Sequence, residues 1–545
     1  MKISGIIGKM SLEEKVGQLC VPILQKDCYT EDLKKYVKEF KVGMIRYCPN
    51  AEFDNGSEVV GKPNKYFSAG ETAKFLNGIQ EMAKIPLFFA VDQEGSTRND
   101  MNRAGAFAYA GHMAFGAADD VNLTYEIAKA AGKEFRAMGV NLVQAPIVDV
   151  LTYEGRRTMK AATFGENVEK VCAHALAMMK GYKDGGVASM AKHFPGYGSV
   201  ATDAHKGVAE ITKDFESFDS EDIAPMKLLF KNGLNGVMTG HAIAHCLDSE
   251  RPATLSKKVI NDYLREKLGF DGIVETDAMR MKAIQDSYGT GEASVMAIEA
   301  GCDLVLLRGN INHFTEGYNA ILNAVKSGRI SEERLNKSIE RVLRQKDDIG
   351  LLDNFICDSE TADKTVGCKE HRELARKLSE NSITCLKNSD LPIDISKKVV
   401  TISVEPQKIK AAEDEFQCVE MLYKAVKNTY KDSEYIMTSL NPDDEEIKKV
   451  SSDEKIKNSD VVVIGICNAI IYDKQVNLVN EITKAVNGKT VVIVTMDSPY
   501  DAELFKDAKN FVCTYGVSAD SMYAAVDYMS GKLTKSAKPP VTINL

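Results

Sequence analysis

Short apolar runs rich in Val, Ile and Leu alternate with longer stretches of helical period from about residue 10 to about residue 350, the pattern of repeated βα units. SLEEKVGQL opens on Ser11 with Glu14 three residues later, a capping-box start. KVGMIRY (41–47) reads as the first strand and AGETAKFLNGIQEMAKI as the helix after it. LTYEIAKAAGKEFRAMG, VEKVCAHALAMMKGYKDGG and GEASVMAIEAGCDLVLL then repeat one order: a helix, a stop at glycine, an apolar strand. That order implies a parallel sheet. The nearly continuous apolarity of GMIRY, LFFAV and DLVLL implies strands buried on both faces.

Five segments of this region end in polar residues able to do chemistry. LFFAVDQEG closes on Asp92, VNLVQAPIVDV on Asp149, VASMAKHFPGYG on Lys192 and His193, NGVMTGHA on His241, and GIVETDAM on Asp277. Periodicity does not separate a barrel from an open doubly wound sheet. The count of such ends does, because ends spread over so many successive strands converge only when the sheet closes. The expectation is a TIM-type (β/α)8 barrel over residues 1–352 carrying one site at its carboxyl rim.

DNFICDSETADKTVGC, within 353–368, is polar, acidic and without period, and reads as a linker. Beyond it, residues 369–545 give a helix and strand in KEHRELARKLSENSITCLKN. The apolar runs KVVTISV, DVVVIGI, TVVIVTM and NFVCTYG follow, and the chain closes on PPVTINL. This predicts a second, smaller α/β domain with a mainly parallel sheet. It has no comparable cluster of His, Asp or Lys at strand ends, so a supporting role is expected of it.

A chain of 545 residues exceeds what one core usually supports, which agrees with two domains. A formal net charge of −9 argues against nucleic acid as a partner, since such binders carry basic patches. The twelve cysteines form no CxxC pair and no regular spacing, which predicts free thiols and a reducing compartment rather than a disulfide framework or zinc site. The start MKISGIIGKMSLEEKVGQL has no basic segment followed by an apolar one, and no apolar run approaches membrane-spanning length. The expectation is a cytoplasmic protein, monomeric or homodimeric, with no membrane partner, no metal and no organic cofactor.

Asp277 stands between a strand and AMRMKAI, where a carboxylate serves as nucleophile toward an anomeric carbon, as metal ligand or as helix cap. Lys192 at a strand end fits a Schiff-base nucleophile, and together with His193 it also fits hydrogen bonding to a hydroxyl-rich sugar. Asp203 and His205 in SVATDAHKGV fit either a solvated loop with an Asx turn or a general acid whose imidazole the carboxylate orients.

KHFPGYG followed by TDAH, then TGHA and GFDGIVETDAMRM, with AVDQEG and APIVDV upstream, resembles glycoside hydrolase family 3, within it the bacterial β-N-acetylglucosaminidase branch. The likeness runs over nearly the whole chain, since LSENSITCLKN and SGKLTKSAKPPVTINL resemble the start and finish of that family's second, α/β sandwich domain. The resemblance implies that Asp277 is the nucleophile forming a covalent glycosyl-enzyme, and that His205 with Asp203 is the acid/base dyad. It further implies that Asp92, Lys192, His193 and His241 bind the sugar in the first subsite, with Asp149 ordering the neighbouring strand ends.

This chain also departs from the family pattern. Ala162 stands where an Arg precedes Ser-Phe-Gly. Ser96 and Thr97 replace Gly-Arg after Asp-Gln-Glu-Gly, Arg98 being shifted one place. Tyr197 replaces a His, and Ala204 the Ser between Asp203 and His205. Arg98, Arg156 and Arg157 are the arginines placed to compensate, and Arg98 is taken as substrate-binding. The expected activity is a retaining, exo-acting β-N-acetylhexosaminidase acting on a small glycoside or amino-sugar substrate. The alternatives are phosphorolysis with phosphate as second substrate, altered sugar specificity, and non-catalytic sugar binding.

Overall fold

The computed structural model describes residues 3–25, 27–49, 67–96, 98–101, 105–202, 207–353, 355–404, 421–486 and 488–545. Eight strands, all parallel, form one sheet: β1 (Cys20–Leu24), β2 (Met44–Tyr47), β3 (Phe88–Val91), β4 (Leu142–Val143), β5 (Ala188–Phe194), β6 (Gly236–Thr239), β7 (Ile273–Thr276) and β8 (Val305–Leu307). They neighbour one another in chain order from β1 to β7, and β8 returns to pair with β1. A parallel bridge from Glu275 to Leu304 joins the seam between β7 and β8, reinforced by Thr276 N–H donating to Leu304 O at 3.0 Å. The sheet therefore closes, as the spread of functional strand ends required.

The first strand is not KVGMIRY, which forms β2, but CVPIL. Helix Leu12–Leu19 runs into β1 with no loop between them, and Pro22 breaks the strand signature. Helix Glu31–Lys38 separates β1 from β2. The capping box of Ser11 and Glu14 forms, and Ser68 with Glu71 makes a second one at the start of helix Ala69–Met82. Gly196, at φ 133°, turns the chain just past β5, a conformation closed to most residues with a side chain.

The second sheet contains β9 (Thr384–Lys387), β10 (Val399–Val404), β11 (Ser433–Thr438), β12 (Val461–Ile466), β13 (Thr490–Thr495) and β14 (Asn510–Cys513), in the order β9-β14-β13-β12-β10-β11. Only β9 runs antiparallel to its neighbour. Helices Met421–Thr429 and Ala519–Met529 pack as one pair and helices Asp444–Ser451 and Lys474–Ala485 as another, giving an α/β sandwich. Edge strand β11 escaped the sequence reading because it is half-buried, Met437 is exposed, and no apolar run marks it. The closing PPVTINL forms no strand.

The segment expected to be a linker is not without structure. It carries helix Ser359–Thr365, whose Asp363 accepts from Gly70 N–H at 2.7 Å. Tyr500, Tyr515 and Val541 join the apolar cluster of the barrel. Gly111 N–H donates to Tyr515 O at 2.8 Å. The carboxyl ends of β13 and β14 therefore abut the barrel's rim.

Candidate active site

Every barrel strand or the residues just past it contributes to one inner cavity: Ile23 from β1, Arg46 and Cys48 from β2, Asp92, Glu94, Arg98 and Asp100 after β3, and Gln144 after β4. Lys192 and His193 come from β5, Met238 from β6, Asp277 from just past β7, and Leu306 and Arg308 from β8. An outer cavity continues from it, lined in part by Ser96, Lys160, Ala161, Ala162, Tyr197 and Asp497. Glu94, Arg98, His193 and Asp277 border both. The Asp277 carboxylate thus stands where the two spaces meet.

Asp277 is not a helix cap. Its Oδ1 accepts from the adjacent Ala278 N–H at 2.6 Å, while the next helix, Lys282–Tyr288, starts several residues on with Met281 at its N-cap. Its own N–H donates to Thr239 O at 3.1 Å, fixing the strand end to β6.

Lys192 Nζ donates to Asp92 Oδ1 at 2.6 Å and lies 2.5 Å from Glu94 Oε1. Burial works against its charge, but Asp92 and Glu94 outweigh burial and hold the ammonium well above the usual lysine range. A Schiff-base lysine needs the opposite shift, so the reading of Lys192 as such a nucleophile loses its basis. On Asp92 burial is likewise outweighed, first by Arg46 and then by Lys192, and the carboxylate stays ionised far below its ordinary range. Arg46 Nη2 reaches Asp92 Oδ2 at 2.5 Å and its Nη1 pairs with Asp100. Arg98 Nη1 donates to Glu94 Oε2 at 3.1 Å, so Arg98 does face the site, one third exposed.

Asp149 is fully buried and orders its surroundings: its carboxylate accepts from Tyr197 N–H at 2.6 Å and from His193 Nδ1 at 2.9 Å. Burial lowers the His193 pKa, but Asp149 more than restores it, so the imidazole titrates above its ordinary range.

His241 needs correction as a sugar contact. It is fully buried, its Nδ1 pairs with Thr254 Oγ1 at 2.9 Å, and its Nε2 lies 3.2 Å from Ala278 O. The ring is held by Thr254 and the backbone of Ala278, and it buttresses the strand end that carries Asp277. Arg156 and Arg157 do not replace the missing arginine either. Arg156 stacks 3.5 Å from the Tyr153 ring and bonds Tyr153 O, and Arg157 is exposed. Asp203, His205, Thr97 and Ala204 lie outside the described residues.

Sequence reasoning passed over Arg46, Glu94, Gln144, Arg308 and Asp497. Asp497 lies two residues past β13, and the second domain supplies it to the outer cavity, which is more than support. Its carboxylate accepts from Asn468 Nδ2 at 2.9 Å.

Residues 11–345 match the family profile described as the glycosyl hydrolase family 3 N-terminal domain. Beta-hexosaminidase A of Pseudoalteromonas piscicida is 29% identical over 411 residues, 71% of this chain and 66% of the relative. A beta-N-acetylglucosaminidase/beta-glucosidase of Cellulomonas fimi is 26% identical over 71% of this chain and 67% of the relative. The chain thus spans about two thirds of the length of these curated relatives. The solved family 3 beta-N-acetylglucosaminidase of Paenibacillus sp. str. FPU-7 superposes with a TM-score of 0.89 at 29% identity, covering 98% of this chain and 99% of that one. The profile covers the closed barrel with its carboxylate past β7 and its Lys-His pair on β5, well more than half of the chain, and the chain belongs to glycoside hydrolase family 3.

Proposed function

We propose that the protein is a retaining, exo-acting β-N-acetylhexosaminidase that removes terminal N-acetylglucosamine from small glycosides, such as fragments of peptidoglycan or chitin. The observation that carries this reading is the position of Asp277 on the border of two cavities. The inner one is closed by barrel strands and lined with charged hydrogen-bonding groups suited to one sugar ring, and the outer one is open to a leaving group.

Asp277 attacks the anomeric carbon as the bond to the leaving group breaks, giving a glycosyl-enzyme that water then hydrolyses with a second inversion. Asp92 accepts from sugar hydroxyls, and Lys192, Arg98 and His193 donate to them. These groups are pre-ordered by the ion pairs above, so little reorganisation is needed on binding. Asp203 and His205 are proposed as the acid/base pair. Free thiols on all the described cysteines support a reducing, cytoplasmic setting.

A second reading, altered sugar specificity, has one observation in its favour: Ala162 and Tyr197, which stand where the family pattern places an arginine and a histidine, both line the outer cavity.

The test is nitrophenol release from p-nitrophenyl N-acetyl-β-glucosaminide with and without phosphate, with the sugar product identified. Free N-acetylglucosamine in both conditions supports hydrolysis. Phosphate-dependent formation of sugar 1-phosphate moves the assignment to phosphorolysis. No turnover, with turnover of another aryl glycoside, establishes altered specificity.

A further inference from the structure

Two polar side chains beneath the inner cavity take no part in the mechanism above. Glu275 lies on β7 two residues before Asp277, hence on the same side of the strand, and is fully buried. Gln144 follows β4, is also fully buried, and lines the cavity. Gln144 Nε2 donates to Glu275 Oε2 at 2.8 Å. Among the described residues, neither Glu275 Oε1 nor Gln144 Oε1 has a hydrogen-bond partner. An orphaned buried carbonyl oxygen is costly to leave unpaired, so the amide of a cavity-lining glutamine is a contact waiting for a ligand group.

We propose that Gln144 and Glu275 act as one carboxyl–amide unit that forms a polar floor for the sugar and sets whether that floor offers a hydroxyl a donor or an acceptor. Glu275 does this as a positioning residue acting through Gln144. The glutamine amide turns about its last bond, and one of its faces always meets Glu275. An ionised Glu275 only accepts, so it fixes the NH2 on itself and turns the carbonyl oxygen to the cavity. A protonated Glu275 donates its O–H to that oxygen and turns the NH2 to the cavity instead.

The surroundings favour the protonated form near neutrality. Burial pushes the Glu275 carboxyl up to about 8. The Gln144 bond and Arg46 of β2 pull it down, while Asp92 after β3 and Asp277 push it further up. Lys192 of β5 and Arg308 of β8 line the same cavity, the former engaged by Asp92 and Glu94. The bond seen, from Gln144 Nε2 to Glu275 Oε2, is the acceptor arrangement, with the carbonyl oxygen left to the cavity. With its carboxyl pushed up to about 8, Glu275 takes up a proton toward neutrality and the floor turns donor.

The inference deepens the proposed function and rests on it only for which sugar is bound. Its test uses the full chain with calorimetric binding of N-acetylglucosamine and kcat and KM on the nitrophenyl glycoside, from neutral to alkaline pH, for wild type, Glu275→Gln and Gln144→Leu. Affinity of the wild type is expected to change about tenfold as pH passes through about 8. Glu275→Gln is expected to remove that transition while remaining folded, and Gln144→Leu to weaken binding at neutral pH about tenfold. An unchanged transition in Glu275→Gln overturns the proposal, as does unaltered affinity in Gln144→Leu.

Infrared difference spectra of the wild type provide an arm that needs no substrate. The carbonyl band of a protonated carboxylic acid is expected at neutral pH and should vanish above about 8. Its absence at neutral pH sinks the proposal even if the glycosidase assignment stands. A band that behaves as expected in a protein inert toward every glycoside leaves this pair standing and rejects that assignment.

Discussion

Asp149 grips His193 at two points: the ring Nδ1 pairs with Oδ2 at 2.9 Å, and the backbone N–H lies 3.3 Å from the same oxygen. The pair fixes the orientation of the imidazole at the border of the two cavities and favours its protonated form. Replacing Asp149 by Asn keeps the shape and removes the charge that raises the His193 pKa. The raised folded value means that the stabilisation is complete below the unfolded value of about 6.5 and is lost as pH rises through the folded one. In Asp149→Asn the NMR titration midpoint of His193 is expected to fall and kcat/KM to drop about 10- to 100-fold. A midpoint equal to that of the wild type would refute the electrostatic role.

Asp277→Ala removes the proposed nucleophile from a strand end that caps no helix. Turnover is expected to fall on the order of 10⁴-fold or more, with the sugar still bound in the inner cavity. Azide, small enough to enter from the vacated face, should restore turnover and give a glycosyl azide of inverted configuration. Product of retained configuration would show that another group attacks the anomeric carbon.

Lys192→Met takes the shared ammonium from buried Glu94 and part-buried Asp92, leaving, among the described residues, the ion pairs of Glu94 with Arg98 and of Asp92 with Arg46. Breaking such a buried network costs about 3 to 5 kcal/mol, so a marked fall in melting temperature is expected beside the loss of sugar affinity. Adding Glu94→Gln to Lys192→Met should recover part of that stability without recovering affinity. If the double variant is no more stable than the single one, the uncompensated charge is not the cause.

The residues legible in the sequence were those that end an apolar strand: Asp92, Lys192, His193 and Asp277 each interrupt a hydrophobic run, and barrel geometry brings such ends together. Position on a strand end did not suffice for His241, because the orientation that seats its ring against Ala278 O depends on tertiary packing. Arg46 was hidden for the converse reason. It lies inside β2, where its charge reads as an irregularity in GMIRY until Asp92 and Asp100 are seen to face it. Asp497 carried the same strand-end signal as the barrel residues. Its use became visible only when the second sheet was found to direct that end at the barrel rim. The first strand was lost to local chemistry, since Pro22 and the direct passage from helix to strand erased its boundaries.

Lys346 gives a test of the barrel's stability that is independent of catalysis. It lies on helix Glu332–Asp348, fully buried, and its Nζ donates to Gly43 O at 2.8 Å. Burial lowers its pKa from 10.5 to about 7. Between those values the unfolded chain binds a proton that the folded one releases, so Lys346 makes stability rise with pH across that window and contributes no slope below it. Lys346→Met should remove that rise and leave the protein more stable at pH 7 and below, by about 1 to 3 kcal/mol after allowance for the lost bond to Gly43. Urea unfolding of both proteins at a series of pH values reads the difference directly. If the two curves run parallel from neutral to alkaline pH, the ammonium is already neutralised by a partner and burial is not what governs it.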